Sequence, residues 1–496
     1  MSSAAEESFD VVVVGGGPAG ATAATVVAMR GHRVLLLEKE VFPRYQIGES
    51  LLPSTVHGIC RMLGVADEMG RAGFQLKRGG TFRWGSNPQP WLFSFALSPR
   101  LADPTATALQ VERSRFDEIL LRNAARKGVD VREGAPVTGV VTDSGRVSGV
   151  RYLMPNGTQR AARARYVVDA SGNTSRIHGE VGGKRVYSDF FRNLAVFGYF
   201  AGGQRMPSPY SGNIFCAAFD QGWLWYIPLR ADLTSVGAVI GPDNTAAVQR
   251  DPRRAWRSMI DQCAPVRAML DGVPLAISPP YGQVRVRKDY SYWKTAFWAP
   301  GMVLVGDAAC FVDPVLSSGV HLATYGALLA ARSINSCLDG TLCEQASLAE
   351  FESRYRREYG IFYEFLISFY DMHQDEKSYF WSAKRVTDAP ASEAEAFIDL
   401  VGGLISGDAA LVDSSSLDAR WTAAAADLSG AVGKLAAGDD RRNPLFESTV
   451  IRETFAEGGR LQEQALYGEV LDAADPPASG ALVSSRDGLG WSVVRS

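Results

Sequence analysis

The string Val11-Val12-Val13-Val14-Gly15-Gly16-Gly17-Pro18-Ala19-Gly20 constrains the fold of this chain more than any other stretch. Consecutive β-branched residues with no polar alternation are the pattern of a strand buried on both faces. The apolar run, Phe9–Val14, stops at Gly15, Gly17 and Gly20, which stand in GxGxxG spacing. A small-residue, helix-compatible segment follows over Ala19–Met29, and Arg33–Leu37 is strand-like again. Strand, glycine turn, helix and strand make one βαβ unit, which sets the fold class as α/β. In such a turn the first glycine permits the tight bend and the second lets backbone approach a pyrophosphate. The third allows close helix packing. The helix N-terminus then aims free N–H groups and partial positive charge at the phosphates. Pro18 and Ala19 lie between these glycines and share the candidate nucleotide surface. Glu38 ends the second strand, where a carboxylate can accept from ribose hydroxyls, and Lys39 and Arg44 follow as further candidates. A bare βαβ turn without a ligand is the alternative reading.

The rest of the chain divides by texture. Residues 79–109 are rich in aromatics, prolines and turn residues. A helix-like stretch at Arg115–Arg126 precedes strand–turn–strand text around Val137–Tyr152 and a strand entering Asp169. Residues 183–292 alternate apolar and polar with many aromatics, the pattern of an antiparallel sheet. Met302–Val305 returns to a buried-strand pattern, and Gly319–Leu338 is a long apolar helix. Helical spacing continues beyond residue 341. The expected organisation, α+β overall, is therefore discontinuous. Residues 1–78, 110–182 and 293–340 form a dinucleotide-binding domain. Residues 79–109 and 183–292 form an antiparallel-sheet substrate domain, and 341–496 a mostly helical C-terminal region.

Composition excludes several classes. With 46% hydrophobic and 21% charged residues the chain reads as globular, and a net charge of −3 gives no electrostatic reason to expect nucleic acid. No apolar run approaches the ~18 residues of a membrane span, and Met1–Asp10 lacks the basic start and apolar core of a signal peptide. Six scattered cysteines without a CxxC pair suit reduced thiols in a cytoplasm. Five histidines without ligand spacing give no reason to expect a metal.

Two further anchors accompany the glycine turn. Gly306-Asp307-Ala308-Ala309 follows the strand Met302–Val305, and Asp169-Ala170-Ser171-Gly172 closes another strand. A carboxylate at Asp307 can take a hydrogen bond from a ribityl hydroxyl, or it can cap the following segment. Arg113 and Asp117, in VERSRFDEILL, stand between the first two motifs. This order resembles the glutathione-reductase-type flavoproteins of para-hydroxybenzoate hydroxylase architecture, and implies FAD in a Rossmann-like first domain. No second GxGxxG follows a later strand, so reduced flavin is expected from a separate flavin reductase or from transient pyridine-nucleotide binding.

Three strings narrow the resemblance. Gly222-Trp223-Leu224-Trp225-Tyr226-Ile227-Pro228 is similar to the GWxWxIP signature of flavin-dependent halogenases. Gly48-Glu49-Ser50 resembles their flavin-contacting strap, and Lys77, in GFQLKRGGTFRWG, stands where that family carries its essential lysine. The resemblance implies that a flavin hydroperoxide, formed from FADH2 and O2, is attacked by chloride or another halide. Lys77 then holds the hypohalous acid beside an arene, while Trp223 and Trp225 wall the arene from the flavin. In Asp313-Pro314-Val315-Leu316-Ser317-Ser318-Gly319-Val320, the resemblance puts Pro314, Gly319 and Val320 against flavin and the halide at Ser318 and Gly319. Members acting on free tryptophan carry a glutamate where this chain has Leu316. The branch resembled acts on phenols and pyrroles, often attached to a carrier protein. This points to an aromatic polyketide or phenolic substrate in secondary metabolism.

Each residue also has a plainer reading. Trp223 and Trp225 share a strand face and fit a sheet core. Lys77 beside Arg78 fits a solvated pair, Glu49 a structural cap, and Ser318-Gly319 ordinary helix capping. The aromatic run Phe362, Tyr363, Phe365, Phe369, Tyr370 and Phe380 fits helix packing as well as a pocket lining. A single-component aromatic hydroxylase, a prenyl reductase and a flavin-storing scaffold share the nucleotide motifs.

Overall fold

The computed structural model describes residues 7–84, 90–95, 106–288, 290–371 and 482–493. Its first sheet is built on the strand Glu7–Val14, which pairs in parallel with Val34–Leu37 on one side and Gln159–Asp169 on the other. Asp130–Arg132 and Met302–Leu304 extend it in parallel at the two flanks. Val11, Val12 and Val13 have no exposed surface, as a strand buried on both faces requires. The helix Pro18–Met29 packs between the helices Arg113–Arg126 and Ser318–Leu338. Each expected element of this domain is present, with ends shifted by at most two residues.

A second, seven-stranded sheet runs in the order Arg285–Lys288, Leu194–Phe200, Leu233–Ile240, Gly222–Arg230, Ile214–Phe219, Gly79–Arg83 and Trp91–Ser94. It is antiparallel except where Ile214–Phe219 meets Gly79–Arg83 in parallel. Period-two alternation sends its side chains to two cores. Phe197, Tyr199, Cys216, Trp223 and Trp225 face the nucleotide-binding side, whereas Val196, Phe200, Leu224 and Tyr226 face a smaller helical layer.

That layer differs from the expectation of strands throughout 183–292. It consists of the helices Thr245–Arg250, Pro252–Gln262 and Ala264–Met269. The signal was present in sequence: Asp251 caps the second helix by accepting from Arg254 N at 3.0 Å, and Pro252 takes the first turn. Trp256, fully buried, seats this helix over Gly198, where a Cβ would lie 2.8 Å from the indole. A small sheet of Arg185–Tyr187, Tyr292–Lys294 and Cys310–Phe311 crosses the boundary drawn at 292–293.

The helix Glu344–Asp371 meets the helical expectation for the C-terminal region, but residues 482–493 do not. They form a hairpin, Leu482–Ser484 with Trp491–Val493, that docks on the helix Ser318–Leu338. Arg332 Nε donates to Gly488 O at 2.7 Å, Asn335 Nδ2 to Leu489 O at 2.7 Å, and Trp491 Nε1 to Ser333 Oγ at 2.8 Å. Arg30, past the end of the first helix, forms an ion pair with Asp487. The helices expected over 372–481, and Phe380 with them, lie outside the described residues. Among the described residues no helix is long and apolar enough to cross a membrane.

Candidate active site

The glycine turn folds as its spacing demands. Gly15 has φ +104°, and a Cβ there would lie 2.5 Å from Ala170 O, so the turn packs against the Asp169-Ala170-Ser171-Gly172 bend. A Cβ on Gly20 would fall 1.8 Å from Gly15 O. Gly17 is different: its Cβ would touch only Arg44 Nη2, at 3.4 Å, an ordinary contact. Protein packing explains two of the glycines, and open space in front of the helix Pro18–Met29 explains the third. Glu38, buried, accepts from Gly16 N at 2.6 Å and Glu40 N at 2.8 Å. The carboxylate expected on a ribose thus also holds the turn. Lys39 is exposed beside it. Asp169 is likewise structural, accepting from Ser171 N and from the hydroxyls of Ser171 and Ser175.

Two arginines share one buried carboxylate. Arg113 grips Asp117 through Nε at 2.7 Å and Nη2 at 2.9 Å, and Arg44 Nη1 reaches the same group at 2.7 Å. Arg113 Nη1 also donates to Ile47 O at 2.6 Å, which holds the strap ahead of Gly48. Asp307 lies within the field of Arg113; burial pushes its carboxyl up to about 6 against Arg113, Arg287 and Arg185. These groups fit a dinucleotide: an anion-ready helix start, a cation beside it, and a carboxylate for hydroxyls. Ser50 Oγ and Ser318 Oγ, both buried, have no hydrogen-bond partner among the described residues, as expected of groups facing a bound molecule.

Lys77 is carried by a three-layer arrangement. Its strand, Gln75–Lys77, pairs with Ala108–Gln110, which on its other edge bridges to Ser50. Val111 N donates to Glu49 O and Leu51 N to Leu109 O, so the strap is ironed onto the same strand. Across it, Lys77 Nζ donates to Leu51 O at 2.9 Å and to Ser317 Oγ at 3.4 Å, with the Phe95 ring 5.5 Å away. Lys77 is 3% exposed, which removes the solvated-pair reading. Burial lowers its pKa to about 7, and among the described residues no carboxylate pairs with it. The pocket around it is lined by Leu52, Phe82, Phe95, Ile214, Leu316 and Ser317 among others.

Ser317 holds φ +64° at the N-cap of the helix Ser318–Leu338 and so turns the chain under Lys77. Ser318 and Gly319 begin that helix, with Pro314 before them and Val320 one residue on. Gly319 is small because Phe311 lies 2.7 Å from where its Cβ would stand. Val320 is 4.0 Å from the Cβ position of Gly48, which brings helix and strap together.

Trp223 and Trp225 do lie on one face, their rings 6.0 Å apart, but neither lines the Lys77 pocket. Trp225 lies over Gly237, and Trp223 Nε1 donates to Tyr370 Oη at 2.6 Å. Tyr370 in turn donates to Asp313 Oδ1 at 2.9 Å. The end of the helix Glu344–Asp371 therefore ties the tryptophans to the loop that carries Ser317. Phe369 packs on Trp84 at 4.4 Å and Phe82 at 5.5 Å, behind the pocket. Sequence reasoning missed Asp313, the Leu51 carbonyl, and a buried chain in which Ser54 Oγ meets His321 Nδ1 at 2.9 Å and Glu358 meets Nε2 at 2.7 Å. Glu49, 3% exposed, accepts from Tyr199 Oη at 2.8 Å.

Comparison with known proteins joins these features. The family model described as tryptophan halogenase matches residues 10–104 and 98–419. A tryptophan 2-halogenase of Chondromyces crocatus is 34% identical over 81% of this chain and 77% of its own length. A flavin-dependent halogenase of Armillaria mellea is 34% identical over 71% of this chain and 72% of its own. The solved structure of the myxobacterial chondrochloren halogenase, described as a variant of FAD-dependent halogenases, is 49% identical. It superposes with a TM-score of 0.77 over 98% of this chain and 100% of that one. With the nucleotide turn, the buried lysine and the matched length all in agreement, the chain belongs to the flavin-dependent halogenases.

Proposed function

We propose that the chain halogenates an electron-rich, phenolic aromatic in secondary-metabolite biosynthesis. Its inputs are chloride or another halide, O2, and FADH2 from a separate flavin reductase. FAD, when bound, supplies the electron pair that activates dioxygen so that halide becomes electrophilic. In this reading Gly15, Gly17, Pro18, Ala19, Gly20 and Arg44 hold the pyrophosphate end. Glu38, Lys39, Arg113 and Asp307 hold the sugar and ribityl portions. Gly48, Glu49, Ser50, Pro314, Gly319 and Val320 frame the ring system. The N–H groups of Ser318 and Gly319 hold the halide, by the logic of anions at helix N-termini.

One observation carries the reading: a buried amine, without a carboxylate partner among the described residues, faces an apolar pocket one residue from that helix start. An amine with a pKa of about 7 is part neutral near neutral pH. It can hold hypohalous acid as a hydrogen-bonded species or, when neutral, as a haloamine, and the second is closed to a guanidinium that stays charged. Leu316 leaves this wall apolar, so the substrate must direct attack by itself, as a phenol does. The name of the Chondromyces relative makes free tryptophan the competing substrate.

The test supplies reduced FAD, O2 and chloride or bromide, with a simple phenol, the same phenol on a carrier protein, or tryptophan. Halogenated phenol supports the reading, and halogenated tryptophan alone overturns its substrate. Lys77→Ala and Lys77→Arg should bind FAD and consume oxygen when reduced, yet form no haloarene. A group used only in the transition state lowers turnover rather than ground-state binding. Near-wild-type yield from folded, flavin-loaded Lys77→Ala would remove this lysine from the mechanism.

A further inference from the structure

Glu49 is a buried carboxyl with no cation at ion-pair distance among the described residues. Its Oε1 accepts from Tyr199 Oη at 2.8 Å, and Tyr199 Oη stands 2.7 Å from Tyr45 Oη. With Glu49 ionised the Tyr199 proton is directed to its carboxylate, which leaves Tyr45 as the donor of the outer bond. The hydroxyl protons therefore all point inward. Tyr45 is half-buried with Arg285 over its ring at 3.8 Å, whereas Tyr199 is almost wholly enclosed, its ring packed on Tyr45 and Tyr281. At the inner end, Glu49 lies two residues before Leu51, whose carbonyl holds Lys77. Its strap neighbour Gly48 faces Arg113 and Val320.

We infer that Tyr45, Tyr199 and Glu49 form a proton path from solvent to the strap beside Lys77, and that this path delivers the proton consumed in each turnover. The second half of that statement rests on the halogenase chemistry proposed above. Reduced flavin, dioxygen, halide, arene and one proton give oxidised flavin, haloarene and two waters, so the enclosed site must import a proton. Each delivery is a relay. As the Glu49 O–H bond forms, the Tyr199 O–H bond breaks; the Tyr45 proton moves to Tyr199, and a hydronium ion from solvent reprotonates Tyr45 and leaves as water. The Glu49 O–H bond then breaks as its proton passes to an oxygen that leaves the site as water, which returns the carboxylate for the next delivery. No oxidant or reductant enters.

The groups facing the path favour a carboxyl that both takes and gives a proton. Burial pushes Glu49 up to about 7, opposed by the Ser235 and Tyr199 hydroxyls and the charge of Arg113, with Glu112 adding to the rise. Arg285 and Arg287 flank Tyr45 at the outer end. The phenols are held above their ordinary range by burial, so they pass protons on without resting as phenolates.

The experiment is a downward pH jump through 7 on FAD-loaded protein. Glu49 protonation is followed by the infrared carboxyl band that Glu49→Gln lacks. Tyr199→Phe keeps the ring and its packing but breaks the relay, and Tyr45→Phe breaks it at the outer end should the first variant fold poorly. Both should slow Glu49 protonation at least tenfold with FAD content unchanged. In phenol halogenation, Tyr199→Phe should lower kcat, leave KM for the phenol unchanged, and show a larger solvent deuterium effect than wild type. Protonation as fast as wild type in both variants overturns the path. Slow protonation with unchanged kcat and isotope effect overturns its part in turnover. Absence of haloarene from wild type would instead reject the halogenation chemistry, and the pH jump, which needs no turnover, would still decide the path.

Discussion

Gly17 and Gly20 offer a way to separate folding from flavin binding within one turn. At Gly20 an added methyl would sit 1.8 Å from Gly15 O and 3.2 Å from Ala170 Cβ, so strand or helix must shift. Overpacking of that kind costs about 1–3 kcal/mol. At Gly17 the same methyl meets only Arg44 Nη2 at 3.4 Å, and the residue's φ of −68° suits any side chain. The protein itself then loses at most ~1 kcal/mol, through the poorer N-cap that alanine makes. The methyl would, however, stand where the backbone must approach a pyrophosphate. A loss of at least tenfold in FAD affinity, about 1.4 kcal/mol, is expected. Thermal unfolding of flavin-free protein and FAD titration by flavin fluorescence measure the two effects independently. Gly20→Ala should lower stability clearly, whereas Gly17→Ala should lower mainly affinity. An unchanged FAD Kd in folded Gly17→Ala, or an unchanged Tm in Gly20→Ala, would refute the assignment of these two spaces.

Further outcomes follow from the buried charges. Asp117→Ala should destabilise the fold by about 3–5 kcal/mol, because Arg113 and Arg44 both lose their buried partner; urea unfolding measures it. Lys77→Met should be more stable than wild type at neutral pH. The lysine pKa is lowered on folding to about 7, so the unfolded chain binds more protons between there and 10.5. Wild-type stability should therefore rise relative to the Met variant across that window, and parallel stability–pH curves would contradict the burial of a neutral amine.

The nucleotide domain was legible because its determinants are local. Val11–Val14, the glycine spacing and the strand ending at Asp169 each declare a backbone conformation within a few residues. The candidate site was legible only in part. Lys77 was located by resemblance, but its main partner is the carbonyl of Leu51, and a backbone oxygen leaves no mark in a sequence. Tyr199 and Glu49 are 150 residues apart, and His321 and Ser54 267, so no spacing rule joins them. The helix Pro252–Gln262 was missed for another reason: the aromatic alternation of the flanking strands outweighed the Asp251-Pro252 start signal. Trp223 and Trp225 share one strand face, as their spacing requires, and Tyr370 and Phe369 connect that face to the lysine pocket.

The hairpin at residues 482–493 sets a timing problem for biosynthesis. The helix Ser318–Leu338 leaves the ribosome long before Trp491, which lies 155 residues beyond its contact at Ser336. At about 5–20 residues per second, that helix waits roughly 8–30 s for its cover. Until then Arg332 Nε lacks Gly488 O and Asn335 Nδ2 lacks Leu489 O, the backbone acceptors that these buried groups take in the folded protein. Ribosome stalling within the intervening segment would lengthen the exposure of the helix that begins at the proposed halide site.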